Sequence, residues 1–261
     1  MKIAAVVPAY NEAHRISNVL NALLAVPEIY EVIAVNDGSQ DRTAAVIRQF
    51  EEVRLIDLED NCGKGGAMMA GACATEADAL VFFDADLIGL TSDHVRRLIL
   101  PIATGRAGMS LGIFRGGRLL TDWSQKLVSS VSGQRAIYRD IFLSIPNLVK
   151  TRYGVETAIN RYVHHMQLKV EYVPLIGVTH PMKEEKLGLM RGVASRSRMY
   201  YEILKIMMEP IDISAANRPP YSKPINDYYK NGNSHHHRPM KAFARAIATQ
   251  WDRLGKRRDD D

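Results

Sequence analysis

The chain has 261 residues, 46% of them hydrophobic, which suits one α/β domain with a substantial core and a smaller appendage. Lys and Arg number 34 against 29 Asp and Glu, a net charge of +5; an anionic small substrate explains that excess with fewer assumptions than nucleic acid, for which no recognised module is present. Two cysteines, Cys62 and Cys73, exclude a disulfide framework or a zinc site of their own and imply a reducing compartment, and no apolar run reaches the ~18 residues that cross a bilayer.

In chain order, "MKIAAVVPAY" holds one Lys and a short apolar run stopped by Pro8, too short for a signal sequence and better as a first strand. Glu12 to Leu24 has Ile16, Leu20, Leu23 and Leu24 at helical spacing. "EVIAVNDGS" predicts a second strand, and Ser39 or Asp41 can cap a helix from Thr43 to Phe50. "VRLIDLED" predicts a third strand, "NCGKGG" a loop and "AMMAGACATE" a helix of small residues. "ADALVFFDADL" is apolar almost throughout, as a strand covered on both faces should be. Such alternation implies a mostly parallel sheet with right-handed crossovers, whose ligands sit outside the carboxyl ends of the strands.

The second half is less regular. "RAGMSLGIFRGG" predicts another strand, and residues 120–142 a helical stretch broken near Gly133. "GVETAINRYVHHMQ" predicts a helix, with His164 and His165 on its surface and one ring partly buried, and "LKVEYVPLIGVTH" a strand ending at His180. From about residue 213 a stretch rich in Pro, Asn and Ser leads to a last helix and a frayed charged end; "HHH" at 235–237 falls in that stretch.

Polar groups collect where the predicted strands end. Asp84 and Asp86 follow the fourth strand, and a kink at Ala85 would turn both carboxylates toward one cation, as Mg²⁺ or Mn²⁺ prefers. The plain alternative is strand-end solvation and a helix cap. Pro8, Tyr10, Asn11 and Glu12 end the first strand, and Asp37 and Ser39 the second. The glycine-rich turn with Lys64 opens a helix whose first amides can face an anion, although it lacks the spacing of a Walker loop. Each has an innocent explanation, but innocence does not require all of them to share one edge.

"VPAYNEA", "VNDGSQDRT", "GKGGA" and "FFDADL", in that order, resemble a family 2 nucleotide-sugar glycosyltransferase of GT-A fold, over roughly residues 1 to 210. The later "SGQRAIYR", "YGVETAI" and "THPMKEE" are similar to dolichyl-phosphate mannose synthases and glucosyl-3-phosphoglycerate synthases. The resemblance implies a Rossmann-like, mixed but mostly parallel sheet flanked by helices. Its nucleotide-binding half would be 1–90 and its acceptor half 91–212, followed by a C-terminal extension at 213–261. It implies that Pro8, Ala9, Tyr10, Glu12 and Asp37 hold base and ribose, with Gly63, Lys64, Asp84 and Ala85 beside the same nucleotide. Asp86 would be the direct metal ligand, with Asp84 in the same Asp-x-Asp motif and His180 opposite; the plain alternative for His180 is a strand-end surface residue.

The acceptor side would be Gly133, Gln134, Arg135 and Glu156. Arg135 can bind an anion through two parallel bonds, and Glu156 sits where inverting relatives keep a base. Thr157 stands where the usual second acid would follow, and an ionised phosphate acceptor needs no base; Glu156 would then orient sugar or acceptor, or cap the helix. The basic run from Lys183 to Arg198 is either a solvated helix face or a loop that closes over the donor diphosphate. The Met and Tyr stripe after it suits core packing or a homodimer contact.

The function these features imply is metal-dependent transfer of a glucose or mannose from a nucleotide diphosphate sugar, UDP-glucose ahead of GDP-mannose. Asp86, Glu156, Arg135 and Lys64 are the catalytic candidates. The acceptor would be an anion such as 3-phosphoglycerate, or a polyprenyl phosphate. The chain is expected to be cytoplasmic, at most peripheral to a membrane. A nucleotidyltransferase and a non-catalytic nucleotide-binding module are the alternatives; the first would carry a glycine-rich loop where this chain has "PAYNEA".

Overall fold

The structure is a computed structural model and describes residues 1–115, 133–150 and 154–180, all within one unit, Met1–Pro219. The expected boundary near 213, the tail with its histidines, the basic run and the Met and Tyr stripe lie outside the described residues. So does 120–132 of the expected helical stretch.

Seven strands form one sheet: β1 (Ile3–Ala9), β2 (Glu31–Asp37), β3 (Val53–Leu58), β4 (Ala79–Phe82), β5 (Met109–Arg115), β6 (Arg135–Tyr138) and β7 (Val170–Ile176), in the order β3-β2-β1-β4-β6-β5-β7. Only β6 runs against its neighbours. Ile3, Ala5 and Val7 of β1 pack with α1 (Ile16–Leu24) and α4 (Ser92–Ala103) in one apolar layer. The opposite face carries α3 (Gly63–Cys73) and α5 (Arg139–Leu143), where Phe142 stacks on Phe82 of β4 with ring centroids 4.6 Å apart. Helices α2 (Thr43–Ile47) and α6 (Val155–His165) complete the set. Among the described residues no helix is long and apolar enough to cross a membrane.

Three departures from the predicted elements have physical causes. Helix α1 starts at Ile16, not Glu12, because the amides of Asn11, Glu12 and Ala13 are donated to Ser39, Thr43 and Asp41 across the gap to β2. Helix α3 starts inside the expected loop, at Gly63, whose φ of +78° turns the chain. Arg135–Tyr138 is a strand rather than a helix, since β4 and β5 each offer it a ladder edge, and pairing overrides local propensity. Helix α4 was not among the predicted elements; Thr91 caps it in a box closed by His94. His164 and His165 are both exposed, which corrects the partly buried ring.

The carboxyl edge is opened by Pro8. The carbonyl of Val6 faces β4, where it accepts the Phe83 amide at 3.3 Å, so Pro8, two residues on, faces the same way. The β1–β4 ladder ends at Val6 and Phe82, and a residue without an N–H leaves nothing unpaired beyond it. A crevice follows. On the other face, Gly71 of α3 lets the helix approach β1 so closely that an added Cβ would overlap Val6 Cγ1 and lie 3.2 Å from Val35 Cγ2. Gly71→Ala is therefore expected to lower the unfolding free energy by roughly 1–3 kcal/mol in urea melts; an unchanged midpoint would mean that the helix lifts freely.

Candidate active site at the carboxyl edge of the sheet

Two groups of side chains flank the crevice. The first joins the ends of β1 and β2. Asp37 is buried, and its Oδ1 accepts the Cys62 amide at 2.7 Å while its carbonyl accepts from Asn61 Nδ2 at 3.1 Å. Asn11, held at φ +57°, accepts the Gln40 amide on Oδ1 at 2.9 Å. Asp41 takes both the amide and the hydroxyl of Thr43; burial would raise its pKa, and these hydrogen bonds outweigh burial and lower it. The polar residues of both loops thus hold one frame, with Tyr10 44% exposed at its rim and Glu12 half-buried. A flat, exposed ring on a fixed backbone suits stacking against a base.

The second group gathers around the acids. Lys64, on the first turn of α3, places Nζ 2.6 Å from Asp84 Oδ1 and 2.6 Å from Glu156 Oε1 of α6. Gln134 donates from Nε2 to the other Asp84 oxygen at 2.9 Å. Gly133 lies so close that an added Cβ would stand 2.5 Å from Asp84 Oδ2 and 2.7 Å from Lys64 Nζ, so any side chain there must push these charged ends aside. Burial would lower the Lys64 pKa, but the charges of Asp84 and Glu156 raise it well above the lysine range. Burial would raise the Asp84 pKa, and Lys64 overrides it and holds the carboxyl below its ordinary value.

His180, just past β7, meets these acids from the far side. Its Nδ1 is 2.9 Å from Asp86 Oδ1 and its Nε2 3.6 Å from Asp84 Oδ2, with the ring edge against Phe114. Burial would lower the imidazole pKa; the bond to Asp86 and the charges of Asp84 and Asp86 outweigh burial and raise it. Asp84, Asp86 and His180 each offer a ligand atom within 4.8 Å of the others. Two carboxylate oxygens and one imidazole nitrogen fit a small divalent ion that retains water, Mn²⁺ or Mg²⁺. A cation there would be held by the imidazole in its neutral form.

Most of the expected site residues thus converge, but two do not face the crevice. Ala85 is 4% exposed and packs into the apolar layer beneath α1 and α4, so its side chain cannot touch a nucleotide. Arg135, expected to meet the acceptor, is fully buried on β6 and donates from Nη1 to Asn160 Oδ1 at 3.2 Å. Burial lowers its pKa, and the charges of Glu156 and Asp84 act against that, so it is a buried neighbour of the acids and not an exposed contact. Sequence reasoning missed the stitches by Ser39, Asp41 and Thr43 because they join segments about thirty residues apart. It also missed the bridge from Lys64 to Glu156, 92 residues along the chain.

Residues 4–165 match the sequence model of the family described as Glycosyl transferase family 2. Over 101 residues the chain is 39% identical to a dolichyl-phosphate beta-glucosyltransferase of Drosophila melanogaster, covering 33% of this chain and 31% of that protein. Over 100 residues it is 34% identical to the dolichyl-phosphate beta-glucosyltransferase of Homo sapiens, covering 33% and 31%. The chain spans about a third of the length of the curated relatives it matches. Its fold matches glucosyl-3-phosphoglycerate synthase of Mycobacterium tuberculosis in complex with Mn²⁺, UDP and glucosyl-3-phosphoglycerate, with a TM-score of 0.63 at 24% identity over 80% of this chain and 81% of that one. A complex of the same enzyme with Mg²⁺ and UDP also gives 0.63. The fold is the GT-A arrangement that the sequence resemblance implied.

Proposed function

The chain belongs to glycosyl transferase family 2, and from that premise we propose that it moves a hexose from a nucleotide diphosphate sugar to a phosphorylated acceptor. The observation that carries this reading is the convergence of Asp84, Asp86 and His180 at the mouth of the β1–β4 crevice. Mg²⁺ or Mn²⁺ held by these residues supplies positive charge where the leaving diphosphate gains negative charge, a stabilisation larger in the transition state than in the ground state.

The chain's own residues do the rest. The frame of Pro8, Ala9, Tyr10, Glu12 and Asp37 holds base and ribose, and the start of α3 at Gly63 turns toward the diphosphate. Lys64 and Gln134 fix the Asp84 carboxylate from two directions and keep it ionised. Glu156 is occupied by Lys64, so it orients the sugar or the acceptor instead of removing a proton. A phosphate acceptor agrees with that, because it arrives already ionised. Arg135 acts as a buried neighbour, through Asn160 and the charges of Glu156 and Asp84.

UDP-glucose is the donor this reading favours, supported by the uridine nucleotide and glucosyl product bound by the tuberculosis enzyme. That enzyme binds a phosphoglycerate, while the curated relatives are named for dolichyl phosphate; both acceptors present a phosphate. Membership of this family leaves the nucleotidyltransferase alternative without support. A thermal-shift panel of UDP-, GDP- and ADP-sugars with Mn²⁺ tests the donor. One sugar nucleotide is expected to stabilise the fold by the ~2.7 kcal/mol that a hundredfold excess over Kd gives, read as a rise in melting temperature, and EDTA to cancel most of the shift. Release of nucleotide diphosphate should then accelerate with 3-phosphoglycerate or with a short-chain polyprenyl phosphate. No shift with any sugar nucleotide would sink the reading, and a shift without any turnover would reduce the protein to a binding module.

A further inference from the structure

The two halves of the metal site come from segments 94 residues apart, Asp86 after β4 and His180 after β7. Just beyond Asp86 the chain makes one isolated antiparallel bridge, Ile88 to Thr179. Both of its backbone bonds are present: Ile88 N–H donates to Thr179 O at 2.9 Å, and Thr179 N–H to Ile88 O at 3.0 Å. Leu87 and Val178, beside the bridge, are 1% and 3% exposed and seat it in the apolar layer.

Gly89 and Gly177 close the bridge on the side away from the ligands, at φ +78° and +81°. They differ in one respect. A Cβ on Gly89 would stand 2.5 Å from the carbonyl oxygen of Gly177, whereas a Cβ on Gly177 would meet nothing within 4 Å. Close backbone approach is therefore needed at Gly89, and only backbone freedom at Gly177.

We infer that this clasp, the Ile88–Thr179 bridge with the Gly89 contact, is the positioning element that sets Asp86 and His180 at ligand distance. The inference rests on the metal site proposed above. Among the described residues, the His180 ring, at the end of an edge strand, would without the clasp have Phe114 and the acids themselves to hold it. With it, Asp86 lies two residues from one side of the bridge and His180 one residue from the other, so backbone geometry fixes their separation before any cation arrives. Gly89 acts through the backbone and touches neither metal nor substrate.

Mn²⁺ alone, titrated against the whole protein and followed by electron paramagnetic resonance, is the probe. Gly89→Ala is expected to weaken Mn²⁺ binding about 10–100-fold, as loss of outer-shell support does elsewhere, while the melting temperature in EDTA falls by only a few degrees. A downfield ring N–H of His180 against Asp86 is expected by proton NMR in the metal-free wild type, and in Gly89→Ala it should broaden or vanish. Gly177→Ala carries the same backbone cost without the collision and should bind Mn²⁺ nearly as the wild type does. If Gly89→Ala fails to fold, Thr179→Pro, which deletes one clasp donor, carries the same expectation. Wild-type Mn²⁺ affinity in Gly89→Ala, or equal losses in both glycine variants, would overturn the clasp. Asp86→Ala separates the two ideas: if it too binds Mn²⁺ normally, the metal site itself is misassigned.

Discussion

Asp86→Ala is expected to remove metal-dependent transfer almost completely while leaving the fold close to its original stability. Asp86 is the acid that pairs with His180, at 2.9 Å, with 22% of its side chain exposed and the imidazole 37% exposed. A pair open to water to that degree contributes no more than ~1 kcal/mol to folding, so the melting temperature should drop by a few degrees at most. Transition-state charge stabilisation by a bound cation is a matter of several kcal/mol, so kcat/KM should fall by about a thousandfold or more. Steady-state release of nucleotide diphosphate with saturating Mn²⁺ measures the one, and thermal melting in EDTA the other. His180→Ala should share the kinetic loss, since it removes the opposite ligand. Turnover retained in Asp86→Ala would rule out the ligand role; a collapsed melting temperature would mean that Asp86 is structural first.

How much of this was legible before any coordinates depends on distance along the chain. Asp37, Asp84 and Asp86 lie at or just past the ends of strands that apolar runs mark plainly, and Lys64 is on the first turn of the helix after another, so their common edge follows from alternation alone. Helix starts were less legible. Glu12 begins a helical pattern, yet its amide goes to Thr43, thirty-one residues on, and no local signal reports that bond. Arg135 shows the same limit more sharply. An arginine beside glycine and glutamine suggests an exposed anion contact, but a strand slotted between β4 and β5 turns it inward, where Asn160 receives it. Gly133 stands in the expected acceptor set, and what approaches it is the Asp84 carboxylate with the Lys64 ammonium beside it. Sequence tells that a side chain must be absent; it does not tell which neighbour needs the room.

Lys64→Met is expected to reverse the pH dependence of stability contributed by this cluster. In the wild type the ammonium sits between Asp84 and Glu156, whose side chains are 18% and 13% exposed. Asp84 keeps a depressed pKa, so its contribution is complete above the unfolded value of ~3.9 and is lost as pH falls through the folded value. Lys64 has a raised pKa, so its contribution is complete below ~10.4 and is lost only as pH rises through the still higher folded value. Between those limits the Lys64–Asp84 pair is insensitive to pH, and the slope that remains in both proteins is that of His180, whose raised pKa makes its contribution complete below ~6.5 and lost as pH rises through the folded value. Methionine fills similar volume without charge, and burial then outweighs the remaining pull of His180 on Asp84 and raises its carboxyl pKa. A raised carboxyl contributes stability below its unfolded value and loses it as pH climbs, so the variant should weaken from about pH 4 toward about pH 7. At neutral pH the deficit should reach roughly 2–3 kcal/mol, below the ~3–5 of a fully buried broken pair because these side chains keep some water. Arginine should not rescue it. Its planar fork is wider than an ammonium, and with Gly133 packed against both Asp84 and Lys64 Nζ there is no space to receive it. Urea melts of both proteins across that pH range decide the matter: a deficit that stays constant with pH would mean that Lys64 packs against the acids without governing their charge.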